Sequence, residues 1–335
     1  MISFPELDIF CEVVDNYGDI GFSYRLARSY KTQHPNTNVR LYIDTPLALQ
    51  KIRLPHDDIG IYDFQSIPDK MAPLVVETFG CNIPGPHVEK MKTDTHLWIN
   101  IEYLSAEPWT ETCHGKESPQ NTPGLKKVFY MPGFTATTGG VLTDFTARAN
   151  PKNTVSIFTY NQDFETLFKA CAELPAIQFL IFDQYAQKSL AASSCEYPQH
   201  SFVMSPFVNQ TAYDQILADS LFNLVRGEES LIRAILAGKP FLWQAYPQEN
   251  NYQLVKVQAL LKTMEPFFID KRIFDEYTKL LMAWNGDNKP VAVDNWRFLL
   301  ENLSTLESYV RQFGLFLRRD CNLSTRFDQF IKQNW

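Results

Sequence analysis

The chain predicts an α/β fold built from two Rossmann-like halves. Three observations carry that expectation. Short apolar runs recur with amphipathic helical stretches between them, the polar, proline-bearing stretch Arg148–Asn153 separates two such series, and 335 residues suffice for two domains of ordinary size. Strands that alternate with helices pair in parallel. The resulting open sheets bind ligands outside the carboxyl ends of their strands. Turns that follow strands are therefore where chemistry is expected.

The first strand is expected over Leu7–Val14, interrupted only by Asp8 and Glu12. It runs into the turn Asp15-Asn16-Tyr17-Gly18-Asp19-Ile20-Gly21. A helix follows from about Ile20 to Tyr30, with Leu26 and Ala27 facing inward and Arg25, Arg28 and Lys31 outward. With two glycines and two aspartates, this turn is not a GxGxxG dinucleotide loop. Paired carboxylates repel a pyrophosphate but can receive a proton or hold a cation. Asp19 can equally cap the helix, and Asp15 can form an Asx turn.

Further strands are expected at Val39–Ile43, Ile59–Phe64, Leu74–Glu77, Leu97–Ile101 and Lys127–Met131, with helical or loop segments at Pro46–Arg53 and Pro86–Met91. Several end in unusual turns: Glu77–Cys81, Glu102–Glu107, and Pro132–Thr135 before Thr138-Gly139-Gly140. The glycine pair suits close approach of a sugar or diphosphate to backbone, or simply a turn. Glu102 and Glu107 could add to acceptor binding, but charged loop residues are usually solvated, and both are left out of the catalytic set.

The second series starts with strand Thr154–Thr159 and helix Gln162–Ala172. Strand Phe179–Phe182, a polar loop at Ala191–His200, strand Phe202–Met204, helix Thr211–Ala218 and strand Ser220–Val225 follow. Next comes RGEESLIRAILAGKPFLWQAYPQE, Arg226–Glu249. A helix starting near Glu229, with Leu231, Ile232, Ile235 and Leu236 on its apolar face, stops at Gly238, and Pro240 opens strand Phe241–Trp243. Free N–H groups at a helix start suit a phosphate, Arg226 is a forked cation, and glutamates accept from sugar hydroxyls. The stretch reads as a nucleotide-sugar donor site. The alternative is that Glu228 and Glu229 only complement the helix dipole while Ser230 sits in a capped first turn. Helices are also expected over Tyr252–Leu261, Glu301–Gly314 and Leu315–Trp335, the last packing back through Phe327, Phe330 and Ile331.

Composition narrows the classes. A net charge of −7 disfavours nucleic acid, and no apolar run reaches the length of a membrane span. The N-terminus lacks the basic region and cleavage site of a secretory signal. Six scattered cysteines without a CxxC pair argue for reduced thiols, a cytoplasmic location and no zinc site, and the six histidines show no ligand spacing.

Seven segments together resemble one family, the bacterial elongation factor P arginine rhamnosyltransferases, EarP. They are FCEVVDNYGDIGFSYRLAR at Phe10–Arg28, ETFGC at Glu77–Cys81, NIEYLSAEPW at Asn100–Trp109, CHG at Cys113–Gly115, MPGFTATTGG at Met131–Gly140, SPFVNQTAYD at Ser205–Asp214, and the Arg226–Glu249 stretch. The resemblance implies a GT-B glycosyltransferase fold, two Rossmann-like domains facing a central cleft. Residues 1–150 would bind the acceptor, 151–314 the dTDP-sugar, and 315–335 would form the returning helix. It also implies inverting, metal-independent transfer of rhamnose from dTDP-β-L-rhamnose, with no cofactor. The acceptor would be an arginine in the N-terminal domain of elongation factor P, activated thereby for rescue of polyproline-stalled ribosomes. The alternative is a GT-B enzyme with another sugar nucleotide or acceptor.

In the resembling family the second aspartate of the first turn is the proposed base, which maps to Asp19, and the first maps to Asp15, an orienting or electrostatic partner. Phe207 and Gln210 map to thymine recognition, and Glu228 to contacts near the ribose. Tyr160 and Tyr246 are further donor-pocket candidates, beside Arg226, Glu229, Ser230, Gly139 and Gly140. For Arg226 a structural pairing with a carboxylate is favoured slightly over a donor contact. The family pattern reads RGEDS. Here Glu229 stands where that pattern has Asp, one methylene longer.

Overall fold

The computed structural model describes residues 4–14, 17–119, 124–160, 162–182, 196–286 and 291–335. The chain divides into two compact units, residues 1–144 with 317–335, and residues 145–316. The boundary falls ahead of the polar Arg148–Asn153 stretch.

In the first unit six parallel strands, β1 Glu6–Cys11, β2 Asn38–Ile43, β3 Gly60–Asp63, β4 Leu74–Thr78, β5 Leu97–Ile101 and β6 Lys127–Tyr130, lie in the order β3-β2-β1-β4-β5-β6. Alternation sends Leu7, Ile9 and Cys11 into one core with Val39, Leu41, Val76 and Ile99, while Phe10 joins Tyr42, Val75 and Trp98 on the other face. Both faces are covered, so the strands read as nearly continuous apolar runs. Asp8 tolerates full burial because its cross-strand neighbour Arg40 meets it with a forked pair, Nε to Oδ1 at 2.5 Å and Nη2 to Oδ2 at 2.9 Å.

β1 ends at Cys11 rather than Val14, because the next residues leave the sheet to bond carboxylates: the Val13 N–H donates to Asp44 at 2.9 Å and the Val14 N–H to Asp19 at 2.9 Å. Helix α1, Gly18–Gln33, buries Ile20, Tyr24, Ala27 and Tyr30, a stripe at helical spacing. Arg25 does not face outward as expected. It is buried and pairs with Asp144 at 3.3 Å, an acceptor too distant in sequence to be foreseen.

In the second unit β7 Thr154–Ile157, β8 Gln178–Ile181, β9 Ser201–Met204, β10 Phe222–Arg226 and β11 Phe241–Gln244 are again all parallel, in the order β11-β10-β7-β8-β9. Each sheet reverses strand order once, between β1 and β4 and between β7 and β10, and such a switch point opens a ligand crevice at the carboxyl edge.

The expected helix Leu315–Trp335 is two helices. Residues through Asp320 complete Leu303–Asp320, and a new helix, Leu323–Asn334, starts at Asn322, whose side chain accepts from the N–H groups of Ser324 and Thr325 at 3.0 and 3.4 Å. Phe327 and Phe330 of that second helix meet the Tyr130 ring edge-on, and His34 bonds Asp328 at 2.9 Å. Lys271–Trp284, unassigned from sequence, is also a helix. Asp270 caps it, and Ile273, Phe274, Tyr277, Leu280, Leu281 and Trp284 line its buried face. That spacing was readable. Among the described residues no helix is long and apolar enough to cross a membrane.

Candidate active site

Asp19 lies in the first turn of α1, just beyond the carboxyl end of β1 and at the first sheet's switch point. It is 2% exposed. It does not cap its helix; the cap position is Tyr17, which makes no side-chain cap bond. Instead Oδ2 accepts from the Val14 N–H at 2.9 Å and Oδ1 from the Tyr103 hydroxyl at 3.2 Å. Below it, Ser23 Oγ donates to the Asp19 carbonyl at 2.8 Å and lies 2.9 Å from Thr78 Oγ1 at the end of β4. The carboxylate is thus met from two strand ends, β1 through Val14 and β5 through Tyr103, while β4 holds the Asp19 backbone through Ser23 and Thr78. Asp15, the second expected acid, lies outside the described residues.

Two turns complete this edge. Phe79 follows β4 with φ +61°, a left-handed conformation that costs a bulky residue about 1–3 kcal/mol. Its ring stacks on Tyr103, centroids 4.2 Å apart and planes 9° apart, and meets Phe22 at 5.2 Å. The Gly80 N–H donates to Asn100 Oδ1 at 3.2 Å, and Asn100 Nδ2 donates to Glu102 at 2.8 Å. Glu77 is buried beside Lys127, 2.9 Å away; burial raises its carboxyl above the usual range and Lys127 opposes that rise. Glu107 is not a solvated charge. It is buried, accepts from Ser105 Oγ at 3.0 Å and returns its own N–H to the same oxygen. The close contacts that require glycine at 139 and 140 are with the protein itself. A Cβ at Gly139 would strike the Tyr130 ring at 2.2 Å, and one at Gly140 (φ +76°) the Cys321 carbonyl at 2.4 Å. Both glycines are buried, and these contacts account for them by the turn reading alone.

The second unit gathers most of the remaining expected residues at its own switch point. Arg226 ends β10, with its guanidinium carbon 4.5 Å from the Phe158 ring centre and 4.6 Å from that of Tyr160, and it donates to the Thr159 carbonyl at 3.4 Å. Its guanidinium thus lies against two aromatic rings. The Tyr160 N–H donates to Gln244 at 2.8 Å, and its ring meets Tyr246 edge-on at 5.5 Å. Tyr246 is 63% exposed and Phe207 48%, so neither ring is core filling.

Gly227, at φ +69° and ψ 174°, occupies backbone space essentially closed to other residues and turns the chain directly into helix Glu228–Ala237. That helix starts one residue earlier than expected and has no side-chain cap. Glu228 and Glu229 stand in its first turn and Ser230 is buried. The Gly227 carbonyl accepts from Trp243 Nε1 at 3.0 Å. Gln210 is buried at the start of helix Gln210–Asp219, capped by Asn209. The two helices are locked by a buried fork, Arg233 Nε to Asp214 Oδ1 at 3.0 Å and Nη2 to Oδ2 at 2.7 Å.

Comparison with known proteins gives this geometry a context. Residues 7–151 and 143–332 match the model of the elongation factor P (EF-P) rhamnosyltransferase family EarP. The protein-arginine rhamnosyltransferase of Pseudomonas putida is 32% identical, with 98% of each chain covered. A solved structure describing EarP-mediated arginine glycosylation of EF-P superposes with a TM-score of 0.65 at 22% identity, covering 98% of this chain and 99% of that one. MurG of Acinetobacter baumannii superposes at 0.52 with 11% identity over 98% and 99% of the two chains. The fold is that of the GT-B glycosyltransferases.

Proposed function

The chain belongs to the EarP family, and from that premise we propose that it is a protein-arginine rhamnosyltransferase that moves rhamnose, with inversion, from dTDP-β-L-rhamnose to an arginine of EF-P. The observation that carries the reading is the buried Asp19, held through both carboxylate oxygens at the switch point of the first sheet. Arginine is a poor nucleophile because its lone pair is delocalised and its charge persists to very high pH. A carboxylate pairs with the guanidinium, orients it, and accepts a proton as attack proceeds. A full prior deprotonation is excluded by the large gap in proton affinity. In the step, the guanidinium nitrogen forms a bond to the anomeric carbon, the bond from that carbon to the phosphate oxygen breaks, dTDP leaves with the electron pair, and Asp19 takes the nitrogen's proton. Asp15 is assigned the accompanying electrostatic role.

The second unit supplies the donor groups in this reading. The N-terminus of helix Glu228–Ala237, with Ser230, faces developing charge on the diphosphate without a metal. Arg226, seated on its two rings, adds positive potential there. Glu228 and Glu229 accept from hydroxyls, Phe207 stacks on thymine and Gln210 reads its edge, while Tyr160 and Tyr246 wall the pocket. The buried pair Gly139 and Gly140 has no place in this set.

Intact-protein mass spectrometry of EF-P incubated with this protein and dTDP-rhamnose tests the reading. The expected product carries one added deoxyhexose on arginine, retained in excess EDTA and lost with Asp19→Asn. Unchanged EF-P after incubation with folded, donor-binding protein would sink the acceptor assignment.

A further inference from the structure

The hydroxyl that meets Asp19 Oδ1 belongs to a residue whose surroundings are built to hold it there. Tyr103 leaves the sheet two residues after β5 and is 41% exposed, a setting in which a tyrosine ring ordinarily samples several rotamers. Here one face is stacked on Phe79, nearly parallel at 9° and 4.2 Å between ring centres. Phe79 holds that position only through a left-handed backbone, which is fastened by its N–H donating to the Ile101 carbonyl at 2.7 Å and by its ring contact with Phe22 of α1. A bulky residue in that conformation persists where its surroundings over-determine it. The ends of β4, β5 and α1 thus converge on one ring pair, and the polar tip of that pair points at the carboxylate.

We propose that Tyr103, clamped by Phe79, is a positioning residue for the general base: it sets the plane of the Asp19 carboxylate so that the proton-accepting oxygen is aimed at the acceptor nitrogen. The inference rests on the assignment of Asp19 as base. The Val14 N–H holds one oxygen and the Tyr103 hydroxyl holds the other, so the hydroxyl helps fix the carboxylate plane, and proton transfer is sensitive to such alignment. Because the stack contacts the acid within the first unit, its loss should fall on turnover and leave donor binding intact.

The test compares Tyr103→Phe, Phe79→Gly, the double variant and Asp19→Asn, with dTDP-rhamnose and intact EF-P as substrates. Tyr103→Phe keeps the ring and deletes only the hydroxyl. Phe79→Gly deletes the ring but suits the left-handed backbone, so it separates the clamp from fold stability. The expected result is a kcat about tenfold lower in each single variant. KM for dTDP-rhamnose and the thermal midpoint should be unchanged, and the double variant should be no worse than either single one. Wild-type kcat in Tyr103→Phe beside an inactive Asp19→Asn overturns the positioning role while the base assignment stands. Turnover that survives in Asp19→Asn overturns the base assignment and this inference with it. Losses that multiply in the double variant, or that follow a lowered thermal midpoint, overturn the clamp in favour of ordinary packing.

Discussion

At the carboxyl edge of the first sheet the chemistry is acidic and enclosed: Asp19, Glu77 and Glu107 are all buried. At the carboxyl edge of the second sheet it is aromatic and partly open, with Arg226 seated on Phe158 and Tyr160 and with Tyr246 and Phe207 exposed. Both sheets are parallel and each reverses order at one point, so the strands do not make the difference. The loops after them do. An enclosed carboxylate must be held by donors on both oxygens because leaving one unmet is costly, and so the first edge is a bonded network. Exposed rings and a cation resting on them tolerate solvent instead. Two sheets of one kind thus carry a buried carboxylate network in the first unit and a partly open aromatic and cationic surface in the second.

The sharpest way to break this contrast is Asp19→Asn, which keeps the shape and removes the proton acceptor. It should lower kcat about a thousandfold, as loss of a general base does, with the dTDP-rhamnose dissociation constant unchanged by calorimetry. A comparable loss of donor affinity would mean that the edges do not divide the labour. Asp214→Ala comes next. It removes the forked carboxylate from the buried Arg233 of the second unit and should cost about 3 kcal/mol, seen as faster amide exchange in helices Gln210–Asp219 and Glu228–Ala237 while the first sheet keeps its protection.

Arg226→Met should act on the donor side alone, raising KM for dTDP-rhamnose about tenfold through loss of the cation on its two rings. A fall in kcat at unchanged KM would move Arg226 to the reaction step. The smallest effect concerns His114, whose Nδ1 accepts from the Met131 N–H at 3.0 Å. Burial, with Arg326 adding to it, pushes this ring down to about 4 from its ordinary 6.5. The unfolded chain therefore takes up a proton between about pH 6.5 and 4 that the folded unit resists. His114 stability is fully present above that window and declines as pH falls through it. Replacing it, His114→Gln, should shrink the difference in thermal midpoint between pH 7 and pH 5 by ~2–4 °C.

Strands and most helices were legible because each follows a local period. Leu7, Ile9 and Cys11 alternate, and Ile20, Tyr24 and Ala27 recur at helical spacing. Boundaries were less so. The departure of Val13 and Val14 from β1 depends on Asp44 and Asp19, and the break before Leu323 depends on a capping Asn322 inside an otherwise helical pattern. At the site, the residue types of the two turns pointed to Asp19 and to Arg226–Ser230, whereas Tyr103 and Phe79 went unremarked. Nothing in NIEYLSAEPW or ETFGC indicates that one ring stacks on the other, since they lie on separate turns of neighbouring strands.

By itself the sequence determined the parallel α/β class and the family, because periodicity, glycine placement and long motifs are properties of contiguous residues. Tertiary structure alone decided that Arg25 and Glu107 are buried, that Gly139 and Gly140 make room for Tyr130 and Cys321, that Arg226 rests on rings, and that Tyr103 reaches Asp19. Each of these is a pairing across different elements. The energy of such a pairing depends on distance and solvent exclusion, which no local pattern along the chain encodes.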